Sequence, residues 1–165
     1  MYYLNTFLIY SILGFLLETV FSIISGLFFE SGILYGPWTP IYGISMILII
    51  ILSNYLFKNL HMHRILETIV VFFTLIIVLS IIEWLGGTLI ELFFNISFWD
   101  YSNEPFHIGK YVCLKMSLVW GFGSIILIYI VKPFVEKIIK KIPHFLTITL
   151  SVLFIIDLFF TFLLK

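Results

Sequence analysis

The stretch TIVVFFTLIIVLSIIEWLGGTL, Thr68–Leu89, decides the fold class of this 165-residue chain. A helix needs ~20 mostly apolar residues to cross the ~30 Å hydrocarbon core of a bilayer, and this stretch provides them. Four further runs have the same character. The sequence therefore predicts an all-α integral membrane protein with about five transmembrane helices. We interpret residues 1–165 as a single membrane domain with spans near residues 4–26, 39–57, 68–89, 112–131 and 145–164.

The composition also indicates a membrane protein. Hydrophobic residues make up 62% of the chain and charged residues 11%, whereas soluble domains have roughly 45–50% apolar and 25% charged residues. The formal net charge is zero, so no basic field favours binding to nucleic acid. The lone cysteine, Cys113, cannot form a disulfide within the chain. We expect no cofactor.

Lysine and arginine residues predict the orientation. The connections after the second and fourth spans carry six of them, and the opposite side carries three. Because positive charge accumulates in cytoplasmic loops, we expect a multi-pass protein of the cell membrane with a cytoplasmic amino terminus and an external carboxyl terminus. The cationic segment 132–141 would also attract anionic membrane lipids. The two sets are Lys58, Arg64, Lys132, Lys137, Lys140 and Lys141 against Lys110, Lys115 and Lys165.

Three acids, Glu18, Glu83 and Asp157, interrupt the apolar spans. A carboxyl at the centre of a membrane helix costs about 3 kcal/mol, so such a group usually faces a partner, a cavity or an ion path. At ~1.5 Å per residue, all three lie about 20–24 Å from the predicted cytoplasmic ends of their spans. We predict one site in the outer half of the membrane, with at least two of these carboxyls in direct or water-bridged contact. Structural hydrogen bonds between helices are the alternative.

The first outer connection, residues 27–40, is rich in aromatic residues and turn formers. Gly36 and Pro37 break any helix, and Pro40 suits the first turn of the next one. We grouped Gly43 with them as a structural loop position. The segment is a candidate re-entrant segment, since irregular backbone at membrane depth needs a cover of protein or water. A tight aromatic loop at the headgroup level is the alternative.

The second outer connection, residues 90–111, adds polar groups at the predicted rim of the site. Glu91 and Asp100 are expected there. Asp100 could bind a metal with its neighbours, but the spacing fits no compact ligand motif, so we expect no metal site. It would instead cap a turn or hold Lys110. The remaining candidates for substrate or ion binding are aromatic or imidazole side chains of both connections, namely Tyr42, Trp99, Tyr101 and His107.

The motifs of this chain, taken in order, resemble one family. The blocks are Gly14–Glu18, Gly32–Pro37, Pro40–Gly43, Glu83-Trp84, Glu91, Trp99–Ser102, Gly109, Cys113-Leu114, Trp120-Gly121 and Asp157. They resemble the bacterial family named putative ABC-transporter type IV over nearly the whole chain. The resemblance implies a small ABC transporter permease and brings no established substrate or catalytic residue. The chain departs from the family pattern at Glu30–Gly32, where the family usually has Asn-Arg-Gly, and at His107 and Lys110.

Three functions are compatible with these features. We favour a membrane transport component whose buried carboxylates hold a cation or proton. The chain has no Gly-x-x-x-x-Gly-Lys phosphate loop, so an ABC role requires a separate ATPase subunit, and five short spans favour a homo-oligomer. One alternative is an intramembrane enzyme acting on a lipid-linked or amphipathic substrate. It is less favoured, since no nucleophile–base pair is recognisable. The other is an accessory subunit that transports nothing.

Overall fold

The computed structural model describes residues 1–25, 32–55 and 63–165. A π-helical stretch links two of its helices, and a short antiparallel hairpin precedes them. The predicted all-α membrane fold is confirmed. The elements are α1 (Tyr2–Ser25), α2 (Pro40–Tyr55), α3 (Arg64–Phe94), β1 (His107–Ile108), β2 (Val112–Cys113), α4 (Leu114–Ile126), the π-helical stretch (Leu127–Val131), α5 (Lys132–Ile139) and α6 (His144–Leu164).

Within the described part of the chain, four helical segments are long and apolar enough to cross a membrane. They are Tyr2–Ile24, Ile65–Phe94, Leu114–Ile139 and His144–Leu164. The helix at Pro40–Asn54 is equally apolar but shorter. Its predicted span continued to residue 57, and residues 56 and 57 lie outside the described part of the chain. The structure thus has four long candidate spans and one shorter apolar helix where the sequence predicted about five spans.

The segment Leu114–Ile139, which corresponds to the fourth predicted span, runs further than the sequence indicated. The predicted span ended at Val131, where the apolar run gives way to the connection that begins at Lys132. In the structure the π-helical stretch comes just before Pro133, which lacks an N–H group and whose ring crowds the carbonyl four residues earlier. The N–H of Lys132 bonds to the carbonyl of Leu127. The wider π turn accommodates the proline, so the helix continues as α5. Two of the lysines used for orientation therefore lie on a helix, and the orientation itself stays a prediction.

The described residues group into two compact units, Met1–Leu48 with Val135–Lys165, and Ile49–Phe134. In the first unit α1 packs against α6. Its core contains Leu8, Leu34 and Trp38. The single membrane domain that the sequence indicated stays a prediction.

In the second unit α3 packs along α4. Gly121 allows the close approach, because a methyl group at that position would collide with the side chains of Phe72 and Ile76. Nearby, the hydroxyl oxygens of Ser80 and Ser117 lie 2.7 Å apart and share a hydrogen bond. Small side chains with a polar atom therefore hold this helix pair together, as is common in membrane proteins.

Candidate functional site

Asp157 on α6 holds the backbone of the irregular segment that precedes α2. Its Oδ1 accepts a hydrogen bond from the Tyr35 N–H at 3.0 Å, and its Oδ2 accepts one from the Gly36 N–H at 2.7 Å. The hydroxyl of Thr161, one turn further along α6, donates to Oδ1 at 3.2 Å. Backbone N–H groups outside a helix find no partner in hydrocarbon. Asp157 supplies the acceptors that this segment needs.

The segment itself is tightly packed against α1. The side chain of Trp38 is buried, and the N–H of Thr39 donates to the carbonyl of Ser11 at 3.0 Å. Gly36 has no room for a side chain, since a methyl group there would lie 2.5 Å from Nε1 of Trp38 and 2.8 Å from Oδ2 of Asp157. Protein atoms therefore cover the segment at Trp38 and Thr39, whereas Tyr35 and Pro37 are exposed. Whether it re-enters the membrane stays a prediction, and residues 27–31 of the predicted segment lie outside the described part of the chain.

The other structural positions lie in or next to α2. Pro37 borders an open groove of about 500 Å³ together with Tyr35 and Phe160. Pro40 is the first residue of α2. Gly43 lies inside α2 rather than in the loop. A side chain at Gly43 would collide with the carbonyl of Phe7. This glycine lets α2 approach α1 closely.

Glu18 and Tyr42 belong to the same unit. Glu18 is half-buried on α1. The half-buried ring of Tyr42 lies directly against Gly14, so it fills a gap between α1 and α2. The predicted contact among Glu18, Glu83 and Asp157 stays a prediction.

Glu83 on α3, in the second unit, is the most deeply buried acid described, with 4% of the residue exposed. The hydroxyl of Tyr101 donates to its Oε1 at 3.3 Å. The indole of Trp120 lies beside the carboxyl, outside standard hydrogen-bond geometry. Its Oε2 is buried and has no hydrogen-bond partner among the described residues. A buried oxygen in this state is costly unless it carries a proton or meets a ligand.

Glu91, about two turns further along α3, fastens the hairpin to the helix. The ammonium group of Lys110 lies 2.5 Å from Oε1 of Glu91, and the hydroxyl of Tyr111 lies 2.5 Å from Oε2. The hydrogen bond to Glu91 raises the pKa of Lys110. The ring of Tyr111 packs against Gly87, where a side chain would collide with it. Both carboxylate oxygens of Glu91 are thus used in holding the loop.

The loop from residue 95 to residue 106 is ordered by its own hydrogen bonds. The N–H of Tyr101 donates to the carbonyl of Lys110 at 2.8 Å, and Nε1 of Trp99 donates to the carbonyl of Tyr111 at 3.4 Å. Asp100 caps a turn, because its Oδ1 accepts the N–H of Ser102 at 2.9 Å. Hydrogen bonds from the side chain of Ser102 and from its N–H lower the pKa of Asp100. Burial raises the pKa of Tyr101. The loop thereby holds a protonated phenol against Glu83.

The remaining polar groups of this loop serve local structure. His107 is exposed on β1, and its Nδ1 lies 2.9 Å from the carbonyl oxygen of Gly109. Glu104 pairs with Lys115 at 3.5 Å. Among the residues that the structure describes, no group of three or more His, Cys, Asp or Glu side chains is placed to hold a metal ion.

Several important residues were not among the sequence-based candidates. Lys110 was predicted as an outer-side charge and as a possible partner of Asp100, whereas the structure pairs it with Glu91. Tyr111 had no predicted role. Their roles depend on the turn at Gly109, which has a φ of +63° and reverses the chain so that both side chains face Glu91. Gly109 itself was the available signal, because glycine is common at tight turns.

The comparisons with known proteins agree with this architecture. Neither the curated proteins nor the solved structures include a match to the chain. The model of one family, described as putative ABC-transporter type IV, matches residues 5–162. With four long apolar helices and this match, the protein is a multi-pass membrane protein related to ABC transporters. The chain belongs to the putative ABC-transporter type IV family.

Proposed function

We propose that this chain is the membrane-embedded permease component of a transporter and that Glu83 exchanges a proton during transport. The observation that carries the proposal is the carboxyl of Glu83, buried within the protein and hydrogen-bonded through one oxygen. Protein rather than lipid surrounds this group. Acids in such positions commonly lie on proton or ion paths.

A proton fits this site better than a metal cation. Calcium takes six to eight oxygen ligands and magnesium about six, from several carboxylates or carbonyls. The side-chain oxygen that contacts Glu83 in the structure is the phenol of Tyr101, which is itself a donor. A single carboxyl beside one phenol and one indole can bind and release a proton with little rearrangement. Tyr101 is then a positioning residue, and Glu91 holds the loop that carries it.

The other acids have different roles in this proposal. Asp157 uses both oxygens to hold backbone N–H groups, so we assign it to the structure of the loop. The apolar groove beside it, with Tyr35 and Phe160 on its walls, is a surface for the apolar part of a substrate. Glu18 stays a candidate for the path. The outer-half location of these groups, the cytoplasmic amino terminus and assembly into a homo-oligomer are parts of the same proposal.

Infrared difference spectroscopy tests the role of Glu83 without knowledge of the substrate. Purified protein in liposomes is titrated with acid and base, and the C=O band of protonated carboxyl groups is followed. We expect one titrating band to disappear in Glu83→Gln and to persist in Asp157→Asn and Glu91→Gln. A spectrum of Glu83→Gln that keeps every titrating band of the wild type would overturn the proposal.

A growth screen tests the transport function itself. A deletion strain is grown on a panel of nutrients and toxic compounds, with the wild type or a variant supplied from a plasmid. We expect complementation by the wild type and by Glu104→Gln, and none by Glu83→Gln. Glu104 is the control, because it lies on the loop and pairs with Lys115 of α4. Full complementation by a stably folded Glu83→Gln protein would exclude an essential carboxyl.

The separate ATPase subunit can be tested by purification. The chain contains no phosphate loop, and its family is named for ABC transporters. We expect the tagged full chain, isolated gently from native membranes, to bring down a protein with a Gly-x-x-x-x-Gly-Lys motif and to hydrolyse ATP. Preparations that contain neither would contradict the ABC part of the proposal and leave the role of Glu83 open to its own test.

A further inference from the structure

The turn between α5 and α6 lies where two membrane-crossing segments meet. Residues 140–143 join Leu114–Ile139 to His144–Leu164, and each of these segments is long enough to cross a bilayer. A connection this short between two such helices is located at a membrane surface. Its side chains are therefore at the level of the lipid headgroups, and the residues next to it are at the level of the first acyl carbons.

A notch of about 290 Å³ opens at this turn, and its walls are mostly apolar. Ile138, Ile142 and Leu146 contribute hydrocarbon, while Lys137 at the end of α5 and Lys141 in the turn that follows it line the same notch. Both lysines are exposed. The notch thus combines a cationic rim with an apolar interior.

The surrounding charge is strongly one-sided. Four lysines and one acid occur between residues 132 and 141. The acid, Glu136, accepts a hydrogen bond from the hydroxyl of Tyr2 at 3.0 Å. This face is therefore complementary to an anion, and it sits next to an apolar cavity at the membrane surface.

We propose that this notch binds an anionic phospholipid of the surrounding membrane. The phosphate would lie between Lys137 and Lys141, and one acyl chain would lie along Ile142 and Leu146. The N-cap of α6 is Pro143, which provides no side-chain cap, so the positive end of that helix faces the same turn. The apolar walls select a lipid over free phosphate, which would gain nothing from them.

Lipid titration of the full chain tests the site. Purified protein in neutral detergent is titrated with phosphatidylglycerol or phosphatidylcholine, and bound lipid is counted by native mass spectrometry. We expect clear preference for phosphatidylglycerol. Lys137→Gln and Lys141→Gln should each weaken its binding about fivefold, since a basic residue near an anionic surface contributes about that factor. Lys140→Gln is the matched control, because it removes a charge from the same turn but not from the notch.

A second variant tests the apolar part without a change of charge. Leu146→Trp fills the notch, so phosphatidylglycerol binding should fall while the lysines remain. Equal losses in Lys140→Gln and the notch variants would show a diffuse charge effect and overturn a defined site. Unchanged binding in both Lys137→Gln and Leu146→Trp would overturn it as well. The proposal stands apart from the role of Glu83, which none of these variants alters.

Discussion

Asp157 and Glu83 each place a carboxyl inside an apolar helix, and the two differ in what surrounds their oxygens. Asp157 receives two backbone N–H groups and the hydroxyl of Thr161. Glu83 receives one phenol at 3.3 Å, and its other oxygen has no hydrogen-bond partner among the residues described. Both oxygens of Asp157 thus accept hydrogen bonds, whereas only Oε1 of Glu83 accepts one from the described residues.

We interpret this difference as two distinct uses of an acid in a membrane helix. An acid such as Asp157 accepts hydrogen bonds from backbone N–H groups that have no partner in a helix, here those of Tyr35 and Gly36. These bonds offset the cost of placing the acid in the membrane and allow the segment to be irregular. An acid whose acceptors are only partly used keeps capacity for a proton. Removal of the first should therefore reduce stability, and removal of the second should mainly reduce function.

The largest effect on stability is expected for Asp157→Ala. It leaves the N–H groups of Tyr35 and Gly36 without acceptors, which should lower the free energy of unfolding by about 3 kcal/mol. Asp157→Asn keeps one acceptor and should cost about half as much. Denaturant unfolding in detergent micelles, followed by tryptophan fluorescence, measures both. Wild-type stability of the alanine variant would show that the loop finds other partners.

Gly36→Ala tests the same loop from the opposite side. The added methyl group must displace Trp38 or Asp157, so we expect a loss of about 2 kcal/mol. Gly123→Ala is the control, because that glycine lies in α4 with open space around it and should be neutral or gain up to about 1 kcal/mol. Equal stability of the two variants in the unfolding assay would contradict the tight packing.

Tyr101→Phe removes the hydrogen bond from the Tyr101 hydroxyl to Glu83 and should cost about 1 kcal/mol at neutral pH. The pKa of Tyr101 is raised in the folded protein, so its contribution is present below the unfolded value of about 10 and is lost as the pH rises above it. We expect the stability difference between wild type and variant to shrink above that pH. Unfolding curves at neutral and alkaline pH measure it, and a constant difference would contradict this coupling.

Glu83→Gln should have the smallest effect on stability. It is the most direct test of the contrast between Glu83 and Asp157. The amide oxygen of glutamine can still accept the hydrogen bond from Tyr101, so the phenol keeps its acceptor. We expect a change within about 1 kcal/mol. If the same unfolding assay instead shows a loss as large as that of Asp157→Ala, Glu83 is a structural acid and the proton-exchange proposal fails.

Much of the fold follows from local properties of the chain. Runs of apolar residues predicted the membrane helices, and Pro40 predicted the start of α2. The end of the fourth span was not predictable in this way, because a single proline permits either a break or a π-helical adjustment. Which occurs depends on the whole turn rather than on the residue alone.

The sequence by itself determined that this is a helical membrane protein of a recognisable family, and it identified Glu18, Glu83 and Asp157 as candidate site residues. Only the tertiary structure decided which groups surround the carboxyls of Glu83 and Asp157. A carboxyl group in a membrane helix carries an insertion cost whether it serves structure or transport. Sequence spacing alone does not count the donors around its oxygens. Those donors come from distant parts of the chain, such as Tyr35 and Gly36 for Asp157 and Tyr101 for Glu83, and folding alone brings them together.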